Sequence, residues 1–287
     1  MPAFREEGNL AGTVEDMLKV IATMGPGHAV VVVNDGSDDR TGEVADELAA
    51  RHPGRVLVVH HEVNRGYGAA VRTGITTALA RTSTSWLLLT DSDGQFRGDQ
   101  IPEFVAVARA QGADAVIGYR LRRADPVMRQ VNAWLWTQAS RLLLRVGVRD
   151  VDCAYKLVSR RVIDGLDLRG DAALISPELL MKMRACGARI LQRPVSHYPR
   201  VHGEPTGAKL SVILASLVGL LGLWRDRITT SSPGRLAHIP QSPPATPSQP
   251  ADWPPPPGAR RPGDSGVSAP STGSARHPEP APANSQR

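Results

Sequence analysis

Residues 86–96 read WLLLTDSDGQF. A run of apolar side chains ends in two carboxylates, Asp91 and Asp93, which flank Ser92, and Gln95 follows shortly after. A turn at that point needs only one Asp or the adjacent Gly94. A pair of acids where a buried strand leaves its sheet suits another task. A Mg²⁺ ion is commonly held by one or two carboxylates together with substrate phosphates, and it takes up charge as a phosphate-bearing group departs. Turn and metal site are both open on these residues alone, and the position after a buried strand favours the metal site. Gln95 would add a neutral oxygen.

A second group of polar residues follows another apolar run, in VVVNDGSDDRTGE at 31–43. A well-capped turn accounts for Gly36, Ser37 and Asp38. It does not account for Asp35, whose carboxylate is placed to accept hydrogen bonds from a base or ribose. A third stretch, NRGYGAAVRTG at 64–74, contains G-x-G, but Val71 stands where a dinucleotide fingerprint needs its third glycine. A Rossmann NAD site is therefore disfavoured. The glycines are expected to let backbone approach a phosphate, with Arg65 and Arg72 near. Between Arg120 and Arg161 lie nine arginines and Lys156 against Asp125, Asp150 and Asp152. That cluster is either a solvated basic face or the mark of an anionic partner. No recognition motif or interleaved aromatic pattern points to nucleic acid.

These residues need a scaffold. The runs at 28–33, 55–60, 86–90 and 114–118 are continuously apolar, as strands covered on both faces are. Helical patterns lie near 9–23, 39–51, 67–81 and 99–111, with Asn9 or Thr13, Asp38 and Asp99 as candidate caps. The alternation predicts βα units and a mostly parallel, Rossmann-like α/β sheet with ligands beyond the carboxyl ends of its strands. Asp35 and Asp91 both sit at such ends. Further helices are expected over 126–146 and 176–188, with a short strand over 189–195. MPAFREEG opens as a strand-to-helix junction does, yet no strand precedes it, so the first strand is expected to be missing. A start codon assigned too late in the gene is the simpler explanation.

Composition sets the limits. Fifteen of the 24 prolines lie from Pro233 onward, in a stretch with few large apolar residues, so 228–287 is expected to be a disordered Pro-rich tail. PPPP at 254–257 is its candidate contact for a protein partner, against the plainer reading of an inert tail. One folded domain is expected over 1–227. Two cysteines make no disulfide framework and fit a reducing compartment. The N-terminus carries no signal peptide pattern. The longest apolar run, LSVILASLVGLLGLW at 210–224, is short of the ~20 residues of a span and reads as a core or interfacial helix.

PAFREE, NDGSDDRT, NRGYGAAVRTG, DSDGQ, GYR, DCAYKL and HYPRVHGEPTGAKL occur in this order. In that order they resemble family 2 glycosyltransferases of the GT-A fold, and most of all the dolichol- or polyprenol-phosphate mannosyltransferase-like branch, over about residues 1–227. The resemblance implies inverting transfer of a sugar from a nucleotide-diphosphate sugar to a polyprenyl phosphate, with Mg²⁺ or Mn²⁺. It implies that Pro2, Phe4, Glu6, Val33 and Asp35 line the nucleotide pocket, that Asp91, Ser92 and Asp93 face the diphosphate, and that Gln95 joins the two acids as metal ligand. Arg120 and Arg129 would hold the acceptor phosphate, and Arg200 and Lys209 would close over the donor. A cytoplasmic protein, peripheral at the inner face of the cell membrane, is the implied setting. This chain departs from the pattern at Arg5, where Asn is usual, and in RVHGEPTGAK, which is three residues longer than RVYGESK and puts the placing of Lys209 in question. A phosphate acceptor needs no general base, because its second pKa is ~6; a hydroxyl of a soluble acceptor would need one. Glu178 is the candidate base, against the plainer reading of a solvent-facing helical glutamate. The alternatives are therefore transfer to a soluble acceptor and a non-catalytic nucleotide-sugar or lipid-phosphate binding protein.

Overall fold

A computed structural model describes residues 1–121, 127–203 and 218–225. All of these belong to one compact unit, Met1–Thr246, while the second unit, Pro247–Arg287, lies outside them, as does the expected Pro-rich tail. The elements run β1 (Pro2–Ala3), α1 (Leu10–Ala22), β2 (Val30–Asp35), α2 (Thr41–Arg51), β3 (Val56–His61), α3 (Tyr67–Arg81) and β4 (Trp86–Leu89). They continue through α4 (Ile101–Ala110), β5 (Ala115–Arg120), α5 (Val127–Leu144), β6 (Lys156–Ser159), α6 (Arg160–Ile163), α7 (Ile175–Ala185) and β7 (Ile190–Val195), and 218–225 is also helical.

β2 lies between β1 and β3, parallel to both. A second sheet has the order β4-β6-β5-β7, with β5 and β7 parallel and β6 antiparallel to β4 and β5. The expected α/β architecture is present and mostly parallel. Apolar strand runs are explained by a core on each face: in β5, Val116 packs into one cluster while Ala115 and Ile117 pack into the other. α1 shows why the helices dock. Leu10, Val14, Met17, Leu18 and Ile21 recur at helical spacing, and all are buried. Truncating a fully buried side chain of this kind to Ala costs about 2–5 kcal/mol.

β1 is a two-residue strand. The Met1 amine donates to Val31 O (2.9 Å), and Val33 N donates to Met1 O (2.9 Å), so the chain enters already paired with β2. Two expected caps are corrected. Asn9 makes no side-chain cap bond to α1. At α2 it is Asp39 whose Oδ1 accepts Thr41 N (3.0 Å), while Asp38 turns to Arg5.

Candidate active site

The acid loop leaves β4 at Thr90 and is fixed from several sides. Ser92 Oγ donates to Pro2 O (2.7 Å), and Thr13 Oγ1 lies 3.1 Å from Ser92 O. Gly94 has φ +75°, a conformation that side chains disfavour. Phe96, next to Gln95, packs against Tyr155, which meets Phe104 edge-on with centroids 5.0 Å apart. Asp93 does the work of a turn, its Oδ1 accepting Gln95 N at 3.1 Å. Asp91 has no part in that turn. Its Oδ1 accepts the Tyr67 hydroxyl (2.9 Å) from the start of α3.

Electrostatics sets the pair apart. Burial pushes Asp91 above the usual carboxylate range, opposed by the Tyr67 hydrogen bond and by the charges of Lys156 and Arg120. Burial, and then the neighbouring charge of Asp91, pushes Asp93 up to about 6. Two hard oxygen donors that repel each other in a partly dry loop match a divalent cation. Gln95 donates its Nε2 to Tyr198 O (3.2 Å), and among the described residues no hydrogen bond engages its Oε1. Three such donors fit Mg²⁺ or Mn²⁺ completed by substrate oxygens. No group of three or more His, Cys, Asp or Glu occurs among the described residues, so no all-protein metal cage is present there.

Arg200 reaches the same place from the segment after β7. Its Nη2 pairs with Glu6 Oε1, and its Nη1 lies 3.8 Å from Asp93 Oδ2. Glu6 is buried, which raises its pKa against the bonds from Asn9 Nδ2 (2.8 Å) and Arg200. Pro2, Ser92, Asp93, Glu6 and Arg200 are thus linked through direct contacts. Phe4 lies beneath the Arg5 guanidinium (5.2 Å), and Arg5, at φ +56°, makes a two-point pair with Asp38 at 2.6 Å for each bond. Val33 is fully buried. Asp35 is engaged by the protein itself, by His61 Nδ1 (2.6 Å) and by the backbone N–H groups of Arg65 and Gly66 (2.9 Å each). A base or ribose would have to share those oxygens.

Arg120 is paired within the chain. Its Nε and Nη2 grip both oxygens of Asp150 at 2.7 and 2.9 Å, and the pair is about nine-tenths buried. Arg72 donates to the carbonyls of Arg169 and Gly170 and pairs with Asp171, so it serves the chain and not a phosphate. Gly68 does likewise: a Cβ there would stand 2.3 Å from Gly170 O. Glu178 is neither solvent-facing nor poised as a base. It is 2% exposed and accepts the N–H groups of Arg169 and Gly170 and the Lys182 ammonium at 2.6–3.1 Å. The basic cluster dissolves in part into structural pairs, Arg161 with Asp114 and Arg160 with Thr82 O (2.8 Å). Arg129 belongs to α5, and its side chain, like Lys209, lies outside the described residues.

Tyr67, Asp150 and Lys156 were not singled out by sequence. Lys156 is 2% exposed and donates to Cys153 O and Ser176 Oγ (3.1 Å), and burial pulls its pKa down against the charges of Asp152, Asp150 and Asp91. Only the apolar setting of YKLV hinted at so buried an ammonium.

The fold and the acid loop define a GT-A-type glycosyltransferase domain. The Glycosyl transferase family 2 model matches residues 1–166, and the chain belongs to that family. It is 35% identical to polyprenol monophosphomannose synthase of Mycolicibacterium smegmatis over 148 residues, 48% of this chain and 54% of that protein, so it spans about half of that relative. It is 25% identical to undecaprenyl-phosphate 4-deoxy-4-formamido-L-arabinose transferase of Aeromonas hydrophila over 241 residues, 83% of this chain and 69% of the other. Among solved structures, glucosyl-3-phosphoglycerate synthase from Mycobacterium tuberculosis in complex with Mn²⁺ and uridine-diphosphate-glucose aligns with a TM-score of 0.57 at 19% identity, covering 79% of this chain and 76% of that one. At that identity the likeness speaks for the fold alone.

Proposed function

We propose that this chain moves a sugar from a nucleotide-diphosphate sugar to a polyprenyl phosphate at a membrane surface, with inversion at the anomeric carbon. The observation that carries the reading is the acid pair at the end of β4, flanked by the Glu6–Arg200 pair and near the Arg120–Asp150 pair. An oxygen of the acceptor phosphate bonds to the anomeric carbon as the bond from that carbon to the diphosphate breaks, and the nucleoside diphosphate leaves. A divalent ion held by Asp91, Asp93 and Gln95 would supply positive charge to the departing diphosphate. Arg200 now rests against two carboxylates and would exchange them for donor phosphate oxygens; Lys209 is proposed as a second cation for the donor. Pro2, Phe4, Val33 and Ser92 would line the nucleotide pocket.

Asp150 engages Arg120 through Nε and Nη2, and the Nη1 hydrogens of the guanidinium would serve an acceptor phosphate, with Arg129 proposed as a second cation for it. Glu178, the base candidate for a hydroxyl acceptor, is fully engaged by the chain itself, which supports phosphate as the acceptor. No helix among the described residues is long and apolar enough to cross a membrane. Instead Trp134, Leu135 and Leu142 of α5, and Val218, Leu221 and Trp224 of 218–225, stand exposed, with the exposed Arg141 and Arg145 beside Leu142. Such a mixture suits contact with an anionic bilayer surface, on its cytoplasmic side in this reading.

The test is a panel of nucleotide sugars offered with polyprenyl phosphate in detergent, with and without EDTA, beside soluble phosphoglyceric acid as a competing acceptor. Transfer to the lipid phosphate that stops with EDTA and returns with Mg²⁺ or Mn²⁺ is expected. Transfer to the soluble acceptor alone, or donor binding with no turnover, would replace the proposal with one of its rivals.

A further inference from the structure

Asn9 stands at the start of α1 and does not cap it. Its carboxamide is turned instead to a residue 193 positions along the chain. Nδ2 donates to His202 O (3.0 Å) and Oδ1 accepts His202 N (3.2 Å), so one side chain meets both backbone groups of one residue. Nδ2 also donates to Glu6 Oε2 (2.8 Å). Only one orientation of the amide satisfies all three bonds, because a carboxylate accepts and a peptide N–H donates. Asn9 is 7% exposed, and the His202 ring lies on Gly8, where a Cβ would stand 2.9 Å from its Cγ.

Gln95 holds Tyr198 in the same way. Its carbonyl accepts Tyr198 N (3.0 Å), and its Nε2 donates to Tyr198 O (3.2 Å). The Arg97 guanidinium lies over the Tyr198 ring, 4.4 Å from its centroid. Arg200 falls midway between the two clamped residues. Its Nε donates to His202 O (2.7 Å), its Nη2 pairs with Glu6 Oε1, and its Nη1 lies 3.8 Å from Asp93 Oδ2. Glu6, Asn9, His202 and Arg200 thus close a ring of direct contacts beside the acid loop. An asparagine in the capping position ordinarily accepts an N–H of its own helix. Here that contact is given up, and what it secures in exchange is the backbone next to Arg200.

We infer that Asn9 is a positioning residue: together with Gln95 it pins the main chain on both sides of Arg200, so that the guanidinium can turn from Glu6 and Asp93 to a donor diphosphate while the backbone stays in place. This rests on the donor reading of the acid loop given above. A long charged side chain on a free segment loses backbone and rotamer freedom when it meets a phosphate. Between two clamps the backbone part is already lost, and only the side-chain torsions of Arg200 have to change. Glu6 keeps the Asn9 bond when the guanidinium leaves, so its buried carboxylate is not stranded.

The experiment places Asn9→Ser in the 287-residue chain. Serine caps a helix about as well as asparagine, so Tm should hold while the bonds to His202 are lost. Hydrogen exchange followed by NMR is expected to quicken about tenfold or more at the His202 amide and at the Arg200 Nε–H, with the Tyr198 amide unchanged. Calorimetry with uridine, guanosine, cytidine, adenosine and thymidine diphosphates, each with Mn²⁺, should show about tenfold weaker binding of whichever one the unsubstituted chain takes up. Gly8→Ala, which pushes the His202 ring aside and leaves Asn9 in place, should move the same readouts the same way, and it serves as the test if Asn9→Ser lowers Tm. Unchanged exchange at His202 and Arg200 overturns the clamp. Quickened exchange with full diphosphate affinity overturns its bearing on the donor. If no diphosphate binds the unsubstituted chain, the donor reading fails, and the exchange data alone decide whether Asn9 holds Arg200.

Discussion

At the scale of single residues, the acid loop separates a carboxylate whose Oδ1 closes a turn from one that accepts the Tyr67 hydroxyl. Asp93 closes a turn and Asp91 does not, yet burial raises both, and the charge of Asp91 raises Asp93 further. Such residues weaken the fold they sit in. Asp93→Asn should therefore leave Tm unchanged or raise it by a few degrees in metal-free buffer, while transfer falls on the order of 10²-fold or more. Calorimetry and turnover on one preparation check both halves. Loss of stability alongside activity would make Asp93 a structural acid. Asp150 is the opposite case. Asp150→Ala strands the Arg120 guanidinium in a site about nine-tenths buried, and removal of one partner of such a pair costs about 3–5 kcal/mol. A denaturant midpoint that stays put would show that water reaches Arg120 more freely than its burial implies.

At the scale of elements, the sequence was informative wherever one period ran long enough. The apolar positions of α1 and α4 predicted those helices to within a few residues. The continuous runs of β2, β3 and β5 identified strands covered on both faces. β6 escaped because KLVS is four residues long and opens on a lysine, a residue type that sequence reasoning places outside; only the pairing with β4 and β5 explains its burial. The site was legible as Asp91, Asp93 and Gln95 on a strand end. Its supporting partners were not, since Tyr67 and Asp150 lie 24 and 30 residues from the groups they hold. Gly68 misled for a related reason: a glycine reports that something comes close, and here it is the backbone of residue 170. β1 yields its own prediction. Burial pulls its amine from the ordinary 8.0 down to about 6, so between pH 6 and 8 the unfolded chain binds the extra proton. Stability should therefore rise with pH across that window, on the order of 2 kcal/mol in all. Asp93, raised from 3.8 to about 6, acts in the opposite sense and mainly below the window. Acetylation of the N-terminus should flatten the rise, and urea midpoints at pH 6, 7 and 8 would show it.

At the scale of the whole molecule, the question is how a chain with no spanning helix among its described residues would meet the lipid acceptor proposed for it. The helix at 218–225 turns Leu220 and Leu223 into the core that also holds α7, and leaves Val218, Leu221 and Trp224 outside. α5 repeats the arrangement, with Leu144 inside and Trp134 and Leu142 outside at 60% and 81% exposure. Apolar residues are ordinary on a protein surface, but two tryptophans and four large aliphatic side chains stand exposed on these two helices, residue types suited to an interaction site. If bilayer contact is its purpose, replacing Trp134, Leu142 and Trp224 with Ser removes three apolar groups worth ~1.5–3 kcal/mol each on full burial. Partial burial in the headgroup region still predicts at least a tenfold drop in partition onto phosphatidylglycerol vesicles. Tm should hold, because exposed residues contribute little to the fold, and transfer to a short, water-soluble prenyl phosphate should hold as well, because the acid loop is untouched. Loss of vesicle binding with both of these preserved would separate docking from catalysis. Unchanged vesicle binding would move the contact elsewhere on the protein.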